Sequence, residues 1–176
     1  DWATHVLRKH DPQVVSVTGS TGKTDACRAI TAVLSTRHQV FSNPPDLSNR
    51  LGLPISLAGL APEHKAAVFE MACHVFGDIT HLTALTRPDI AVITTINHAH
   101  LAYLDSLEVI AQEKSQIVQT LAPDGVAGDK FVAFVLEQEP GQEVDNSYLA
   151  ELDRLQTERG LQLEGYDGPD AFLNVL

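Results

Sequence analysis

The chain has 176 residues, of which 44% are hydrophobic and 20% charged, and its formal net charge is −11 at pH 7. These values predict one soluble globular domain with a sizeable core. They argue against nucleic acid as a general partner, because phosphate backbones bind basic surfaces, and no apolar run is long enough to span a membrane.

The N-terminus and the cysteines bear on where the protein works. The chain begins at Asp1 with neither an initiator Met nor a signal peptide, so we expect a segment of a longer protein. Cys27 and Cys73 have no metal or disulfide spacing. They predict two small buried thiols in a reducing environment, which favours a cytoplasmic location.

Strand and helix patterns alternate along the first part of the chain. The predicted elements, in order, are a lead-in helix over 2–9, a strand over 13–18, a helix over 23–36, a short strand over 39–41, a loop over 42–46, an interrupted helix over 50–58, a strand over 66–70, a helix over 78–86 and a strand over 89–95.

The second part continues the alternation. Its predicted elements are a His-containing loop over 96–105, a helix over 106–121, a turn over 123–125, a strand over 130–136, a charged amphipathic helix over 146–159 and a last strand over 161–163. The pattern predicts an α/β fold, a mostly parallel sheet with helices on both faces. In such folds ligands bind beyond the carboxyl ends of the strands.

A glycine-rich turn follows the first predicted strand, and Lys23-Thr24 opens the next helix. Glycines let backbone N–H groups turn toward an anion, and a helix N-terminus adds partial positive charge. Lys23 can reach terminal phosphates and Thr24 can bind Mg²⁺. The spacing is a short form of GxxxxGK[ST], with Val17 at the first glycine position; a plain glycine turn with a solvated lysine is the alternative. The candidate phosphate-binding residues are Gly19, Ser20, Thr21, Gly22, Lys23 and Thr24.

Polar residues also follow two other predicted strands. Glu70 ends one of them, and Asn97, His98 and His100 follow another. We expect all four side chains in the same crevice as the glycine-rich turn. Glu70 is a candidate Mg²⁺ ligand beside Thr24, and His100 is a candidate ligand of a second metal or of a phosphate. The alternative for Glu70 is an exposed acid at a strand end, and for His100 a solvated or hydrogen-bonded loop histidine.

Six short motifs occur in order along residues 12–126. They are Thr18-Gly19-Ser20-Thr21-Gly22-Lys23-Thr24, Asn49-Arg50-Leu51-Gly52-Leu53-Pro54, Glu70-Met71-Ala72, Arg87-Pro88-Asp89, His100-Leu101 and Glu113-Lys114. The ordered set resembles the central ATP-binding domain of Mur ligases. The resemblance implies a P-loop NTPase-like fold and one domain over 1–176: a linker helix over 1–11, the motif-bearing part over 12–126 and a βαβ continuation over 127–176. The family's N- and C-terminal domains are not expected in it.

The resemblance also implies a reaction. Mur ligases are ATP-dependent amide ligases of peptidoglycan precursor synthesis. ATP phosphorylates a peptide carboxylate to an acyl phosphate, and an incoming amine then displaces the phosphate. The implied ligands are ATP, two Mg²⁺ ions, a UDP-muramoyl-peptide-like substrate and an amino acid or dipeptide.

The same resemblance assigns roles to residues of this chain. Asn49 joins the nucleotide-binding residues, Thr24 and Glu70 hold one Mg²⁺, and His100 and Lys114 support the second. Lys114 aligns with a lysine that is carbamylated by CO₂ in the family, although its pattern alone predicts a solvated helix lysine. The implied catalytic residues are Lys23, Lys114 and His100.

Two segments depart from the family pattern, 102–105 and 137–141. They favour an alternative function, a degenerate non-catalytic nucleotide-binding or interaction domain. A Mur-like ligase with a substrate outside peptidoglycan synthesis is a further alternative. An unrelated P-loop ATPase or GTPase is a third, but no NKxD-like segment that reads a guanine base follows the strand over 89–95. The ligase domain is favoured because Glu70, His100 and Lys114 are all present.

Overall fold

The computed structural model describes residues 2–97 and 106–119. Strands and helices alternate there as predicted. Their bounds are α1 (Trp2–His10), β1 (Gln13–Thr18), α2 (Lys23–Ser35), β2 (Gln39–Ser42), α3 (Gly52–Ser56), β3 (His64–Glu70), α4 (Asp78–Thr86), β4 (Ile90–Ile93) and α5 (Leu107–Gln119). The elements predicted over 123–125, 130–136, 146–159 and 161–163, and residues 98–105 of the predicted loop, lie outside the described residues.

The four strands form one parallel sheet in the order β2-β3-β1-β4. Val15 of β1 pairs with Val68 of β3 on one side and with Ile90 of β4 on the other. The predicted α/β fold with a parallel sheet is therefore confirmed. The register brings the end of β1 beside Glu70 and Ile93, so the carboxyl ends of three strands meet at one edge.

Helices cover both faces of this sheet, as predicted. The alternation of side chains along β1 sends neighbouring valines to opposite faces. Val14 belongs to the core that α1, α4 and α5 share, and Val15 belongs to the core under α2. Among the described residues, none of the helices combines the length and apolarity that a membrane span requires.

The segment predicted as an interrupted helix over 50–58 differs in detail. It contains the five-residue helix α3 followed by a 3₁₀ turn over Leu57–Gly59, and a second 3₁₀ turn, Pro45–Leu47, lies in the predicted loop. Pro54 does not break α3, because it lies in the first turn, where a backbone N–H has no intrahelical acceptor.

Strand β4 ends two residues earlier than predicted. The prediction followed the β-branched pair Thr94-Thr95, but these residues leave the sheet toward the glycine-rich turn. Thr94 keeps one strand-like contact, from its N–H to the carbonyl of Thr18 at 2.9 Å, while its hydroxyl and the groups of Thr95 bind the turn.

Candidate functional site

The turn between β1 and α2 depends on two glycines with positive φ. Gly19 has φ 151° and Gly22 has φ 78°, values that L side chains rarely adopt. A Cβ on Gly19 would overlap the Thr94 hydroxyl and lie 3.0 Å from the backbone nitrogen of Thr95. The turn therefore lies directly against the end of β4, with no space for a side chain at Gly19.

Residues after β4 hold this turn in place through hydrogen bonds. The N–H of Ser20 donates to the Thr95 carbonyl at 2.7 Å, and the N–H of Thr21 donates to the Thr95 hydroxyl at 3.0 Å. The N–H of Asn97 donates to the Ser20 hydroxyl at 3.0 Å. Asn97 thus lies beside the glycine-rich turn, as the sequence predicts. The hydrogen bonds from Thr94 and Thr95 to the turn are not predicted, because the glycine-rich motif itself contains no information about them.

Lys23 folds back over the turn. Its ammonium donates to the carbonyls of Gly19 and Ser20, at 2.9 and 3.2 Å. Partial burial lowers the pKa of Lys23, the positive charge of Lys114 lowers it further, and Glu70 opposes both. The predicted phosphate-binding residues therefore lie close together, with the Lys23 ammonium at the N-terminus of α2.

Thr24 and Glu70 meet at the same edge of the sheet. The Thr24 hydroxyl donates to a Glu70 carboxylate oxygen at 2.9 Å, and Glu70 is only 6% exposed. The alternative of a solvent-exposed acid at a strand end is therefore wrong for Glu70. A hydroxyl and a carboxylate oxygen are ligands that Mg²⁺ prefers, so this pair fits one such ion. No cluster of three or more His, Cys, Asp or Glu side chains suited to a metal occurs within residues 2–97 and 106–119.

Asn43 holds the backbone of Glu70 in place through two hydrogen bonds. Its amide oxygen accepts the N–H of Glu70 at 2.8 Å, and its amide nitrogen donates to the Glu70 carbonyl at 3.1 Å. Asn43 is itself buried. The sequence places it in a loop between a serine and two prolines, and nothing in that pattern indicates this pairing with the end of β3.

Lys114 is the most buried cation among the described residues, at 1% exposure. Its ammonium donates to the Gly19 carbonyl at 3.0 Å and to the Cys73 sulfur at 3.2 Å. The pattern-based expectation of a solvated helix lysine is wrong. Lys114 instead reaches the glycine-rich turn from α5, on the face of the sheet opposite to α2.

A model of the Mur ligase middle domain matches residues 17–147 of this chain. The chain belongs to the Mur ligase middle-domain family. The resemblance predicted from the six motifs is therefore confirmed.

Two curated relatives of this Mur ligase middle domain share one name. UDP-N-acetylmuramoyl-tripeptide–D-alanyl-D-alanine ligase of Bacillus subtilis is 38% identical over 120 residues, which are 68% of this chain and 26% of that protein. The ligase of the same name from Escherichia coli is 34% identical over 125 residues, 71% of this chain and 28% of that protein. The chain thus spans about a quarter of the length of the curated relatives it matches.

Two solved structures are similar to this chain. The MurF ligase of Thermotoga maritima in complex with ADP is 27% identical, with a TM-score of 0.70 over 89% of this chain and 33% of that one. Escherichia coli FolC in complex with DHPP and ADP is 18% identical, with a TM-score of 0.55 over 92% of this chain and 45% of that one, which supports the fold alone.

The structure describes Asn49 but not the two predicted site histidines of this Mur ligase middle domain. The Asn49 side-chain oxygen accepts the N–H groups of Leu51 and Gly52, at 3.0 and 2.8 Å, and so shapes the entry to α3. Its contact with a nucleotide stays a prediction. His98 and His100 lie outside the described residues, so their proposed place in the crevice also stays a prediction.

The two cysteines of this Mur ligase middle domain are free and buried, as predicted. Burial raises the pKa of Cys27 to about 12, and the nearby Glu70 carboxylate contributes to the rise. Cys27 is therefore a thiol at neutral pH, and it packs from α2 against the valines of the sheet. Cys73, in contrast, contacts Lys114 beside the glycine-rich turn.

Proposed function

We propose that this chain is the ATP-binding domain of an ATP-dependent amide ligase that acts on a UDP-muramoyl peptide in peptidoglycan precursor synthesis. The observation that carries the proposal is the phosphate-binding turn with Lys23 over it and the Thr24–Glu70 pair at its edge. The names of the relatives support the substrates, UDP-N-acetylmuramoyl-tripeptide and D-alanyl-D-alanine. The bound ADP named for the MurF structure supports a nucleotide.

The turn and the start of α2 suit the β- and γ-phosphates of ATP. The first N–H groups of α2 have no intrahelical acceptor and point toward the turn. Lys23 needs only to exchange the carbonyls of Gly19 and Ser20 for phosphate oxygens, because it is already held over them. A phosphate there would also strengthen the charged form of Lys23 and so oppose the effect of burial on its pKa.

Thr24 and Glu70 would hold one Mg²⁺, which neutralises charge on the phosphates as the γ-phosphoryl group is transferred. We propose His100 and Lys114 for a second Mg²⁺, with Lys114 as a carbamate. Reaction of the Lys114 side chain with CO₂, with release of two protons, would convert the cation to an anionic carbamate, which would remove its repulsion of Lys23 and supply an oxygen ligand.

A cytoplasmic location goes with this proposal. The two buried cysteines are free, which fits a reducing compartment. The acyl-phosphate step and the incoming amine would depend on parts of the ligase that this chain does not contain, since it spans about a quarter of its relatives.

Calorimetric titration with Mg²⁺-ATP tests the proposal on the chain itself. We expect saturable binding that is lost in Lys23→Ala and kept in Lys65→Ala. Lys65 is a matched control because it is an exposed lysine near the start of β3, at the opposite end of the sheet. Equal binding by wild type and Lys23→Ala would reject the phosphate-site assignment. Absence of binding by folded wild-type chain would favour the degenerate-domain alternative.

A further inference from the structure

Glu113, the residue before Lys114, is a fully buried carboxylate with two defined partners. It is 0% exposed, and its two oxygens accept the N–H groups of Gly77 and Ile79, at 2.7 and 2.8 Å. Burial of an unpaired carboxylate is strongly unfavourable, so these two bonds are what allow Glu113 to stay in the interior. In the sequence, Glu113 stands only as part of a motif and has no role of its own.

The partners of Glu113 lie at the start of α4, which lacks a capping bond from a side chain of its own N-cap residue, Gly77. A carboxylate is favourable there because the first N–H groups of a helix are unpaired and carry partial positive charge. Gly77 has φ 90°, a conformation that glycine adopts readily. α5 therefore supplies the cap for α4, and this contact fixes the two helices against each other.

Lys114 contacts the other end of the segment that connects β3 to α4. Cys73, near the start of the connection, accepts from the Lys114 ammonium at 3.2 Å, and Glu113 binds its end at Gly77 and Ile79. Asp78 restrains the middle, because its carboxylate accepts the N–H of His74 at 2.7 Å. Glu113 and Lys114, which are consecutive in α5, thus bind the two ends of the segment between β3 and α4.

We propose that Glu113 is a positioning residue that holds the side-chain nitrogen of Lys114 at the phosphate-binding turn. Lysine has a flexible four-carbon stem, so a defined position of its nitrogen requires a fixed backbone and a packed stem. Glu113 fixes the backbone of α5 one residue before Lys114, and the buried surroundings pack the stem. The importance of this position for nucleotide and metal binding rests on the proposed function, whereas the positioning itself does not.

NMR of the chain labelled with ¹³C at lysine Cε tests the positioning directly. The two Hε protons of an immobilised lysine have different shifts, and rotation of the stem averages them. We expect a separated pair for Lys114, assigned by its absence in Lys114→Arg, and an averaged pair in Glu113→Gln. The introduced amide would accept one N–H but oppose the other with its own donors. Amide exchange at Gly77 and Ile79 should become faster in the same variant.

Two controls separate positioning from general destabilisation. Glu108→Gln makes the same chemical change on an exposed residue of α5, and Leu82→Val loosens the core at α4 while leaving residue 113 unchanged. Both should keep the separated Lys114 pair. If Glu113→Gln does not fold, Glu113→Asp, which keeps the charge but is too short to reach both N–H groups, should show a reduced separation. An averaged Lys114 pair in wild type, or an unchanged pair in the folded Glu113 variant, overturns the proposal.

Mg²⁺-ATP titration of the same variants links the position to the proposed function. Loss of groups that orient a metal ligand typically weakens metal binding by 10- to 100-fold, so we expect at least about 10-fold weaker binding in Glu113→Gln. Binding that survives Lys23→Ala would reject the proposed function and leave the NMR result intact. Binding that is lost in Lys23→Ala but unchanged in Glu113→Gln would reject only the contribution of Glu113.

Discussion

Lys23 and Lys114 donate to the same acceptor, the backbone carbonyl of Gly19, at 2.9 and 3.0 Å. One lysine opens α2 and the other comes from α5, so the two ammonium groups approach the turn from opposite faces of the sheet. A single carbonyl cannot neutralise two positive charges. The arrangement therefore concentrates positive charge at the turn in a protein of net charge −11, which favours an anion at that position.

Removal of the Lys114 charge should raise the pKa of Lys23. Burial is the main cause of the lowered pKa of Lys23, and repulsion from Lys114 is the second. A nearby like charge disfavours the protonated form, so Lys114→Met relieves that part of the shift. A pH titration of the Lys23 ¹³Cε signal measures the change.

Lys65→Met is the matched control, because it removes an exposed lysine near the start of β3. It should leave the Lys23 titration unchanged. A Lys23 pKa that stays the same or falls in Lys114→Met would show that the two ammonium groups do not interact across the Gly19 carbonyl.

The sequence predicts the sheet and its edge well, for identifiable reasons. Strand β4 lies in a nearly continuous apolar run, as expected for a strand buried on both faces, and the glycines after β1 indicate the turn. Glu70 could be placed near Thr24 because parallel strands end at the same edge of a sheet.

The burial of Lys114 and Glu113 could not be predicted from periodicity. Charged residues in an amphipathic helix are ordinarily assigned to the solvent face. Both are buried here because partners distant in sequence, the Gly19 carbonyl and the N–H groups of Gly77 and Ile79, satisfy them. Asn43 was missed for the same reason, since its partner is the backbone of Glu70, 27 residues away. Local patterns carry no information about such pairs.

Gly19→Ala should destabilise the fold and abolish nucleotide binding. Its φ of 151° strains an L residue, and the added Cβ would overlap the Thr94 hydroxyl. We expect a loss of about 2–4 kcal/mol in the free energy of unfolding, measured by urea denaturation. Gly59→Ala is the control, because a Cβ there meets only Phe41, at 3.4 Å, within the described part of the chain. An equal effect of the two substitutions would contradict the close packing of Gly19 against β4.

Thr24→Val should weaken the Mg²⁺-dependent part of ATP binding. The substitution removes the hydroxyl that contacts Glu70 and that we propose as a Mg²⁺ ligand, but it keeps the shape of the side chain. Titrations with ATP in the presence and absence of Mg²⁺ separate the two contributions. Thr31→Val in the same helix is the control, since the Thr31 hydroxyl makes no hydrogen bond among the described residues. An unchanged dependence on Mg²⁺ in Thr24→Val would reject Thr24 as a ligand.

Asp78→Asn should destabilise the chain at neutral pH, and less so in acid. Burial alone would raise the pKa of Asp78, but the N–H groups of His74 and Val75 and the Arg50 guanidinium together lower it below its usual 3.8. The unfolded chain therefore binds a proton at Asp78 at higher pH than the folded chain does. The stabilisation is fully present above the usual pKa and is lost as the pH falls through the lowered one.

We expect Asp78→Asn to lower the free energy of unfolding by about 1–3 kcal/mol at pH 7, with a smaller difference from wild type below pH 3.8. Urea denaturation at several pH values measures this. Asp25→Asn removes the same charge from an exposed position in the first turn of α2, where it pairs with the exposed Arg28, and should change stability by no more than about 0.5 kcal/mol. A constant difference between Asp78→Asn and wild type across the acid range would mean that the Asp78 carboxylate charge contributes nothing to the start of α4.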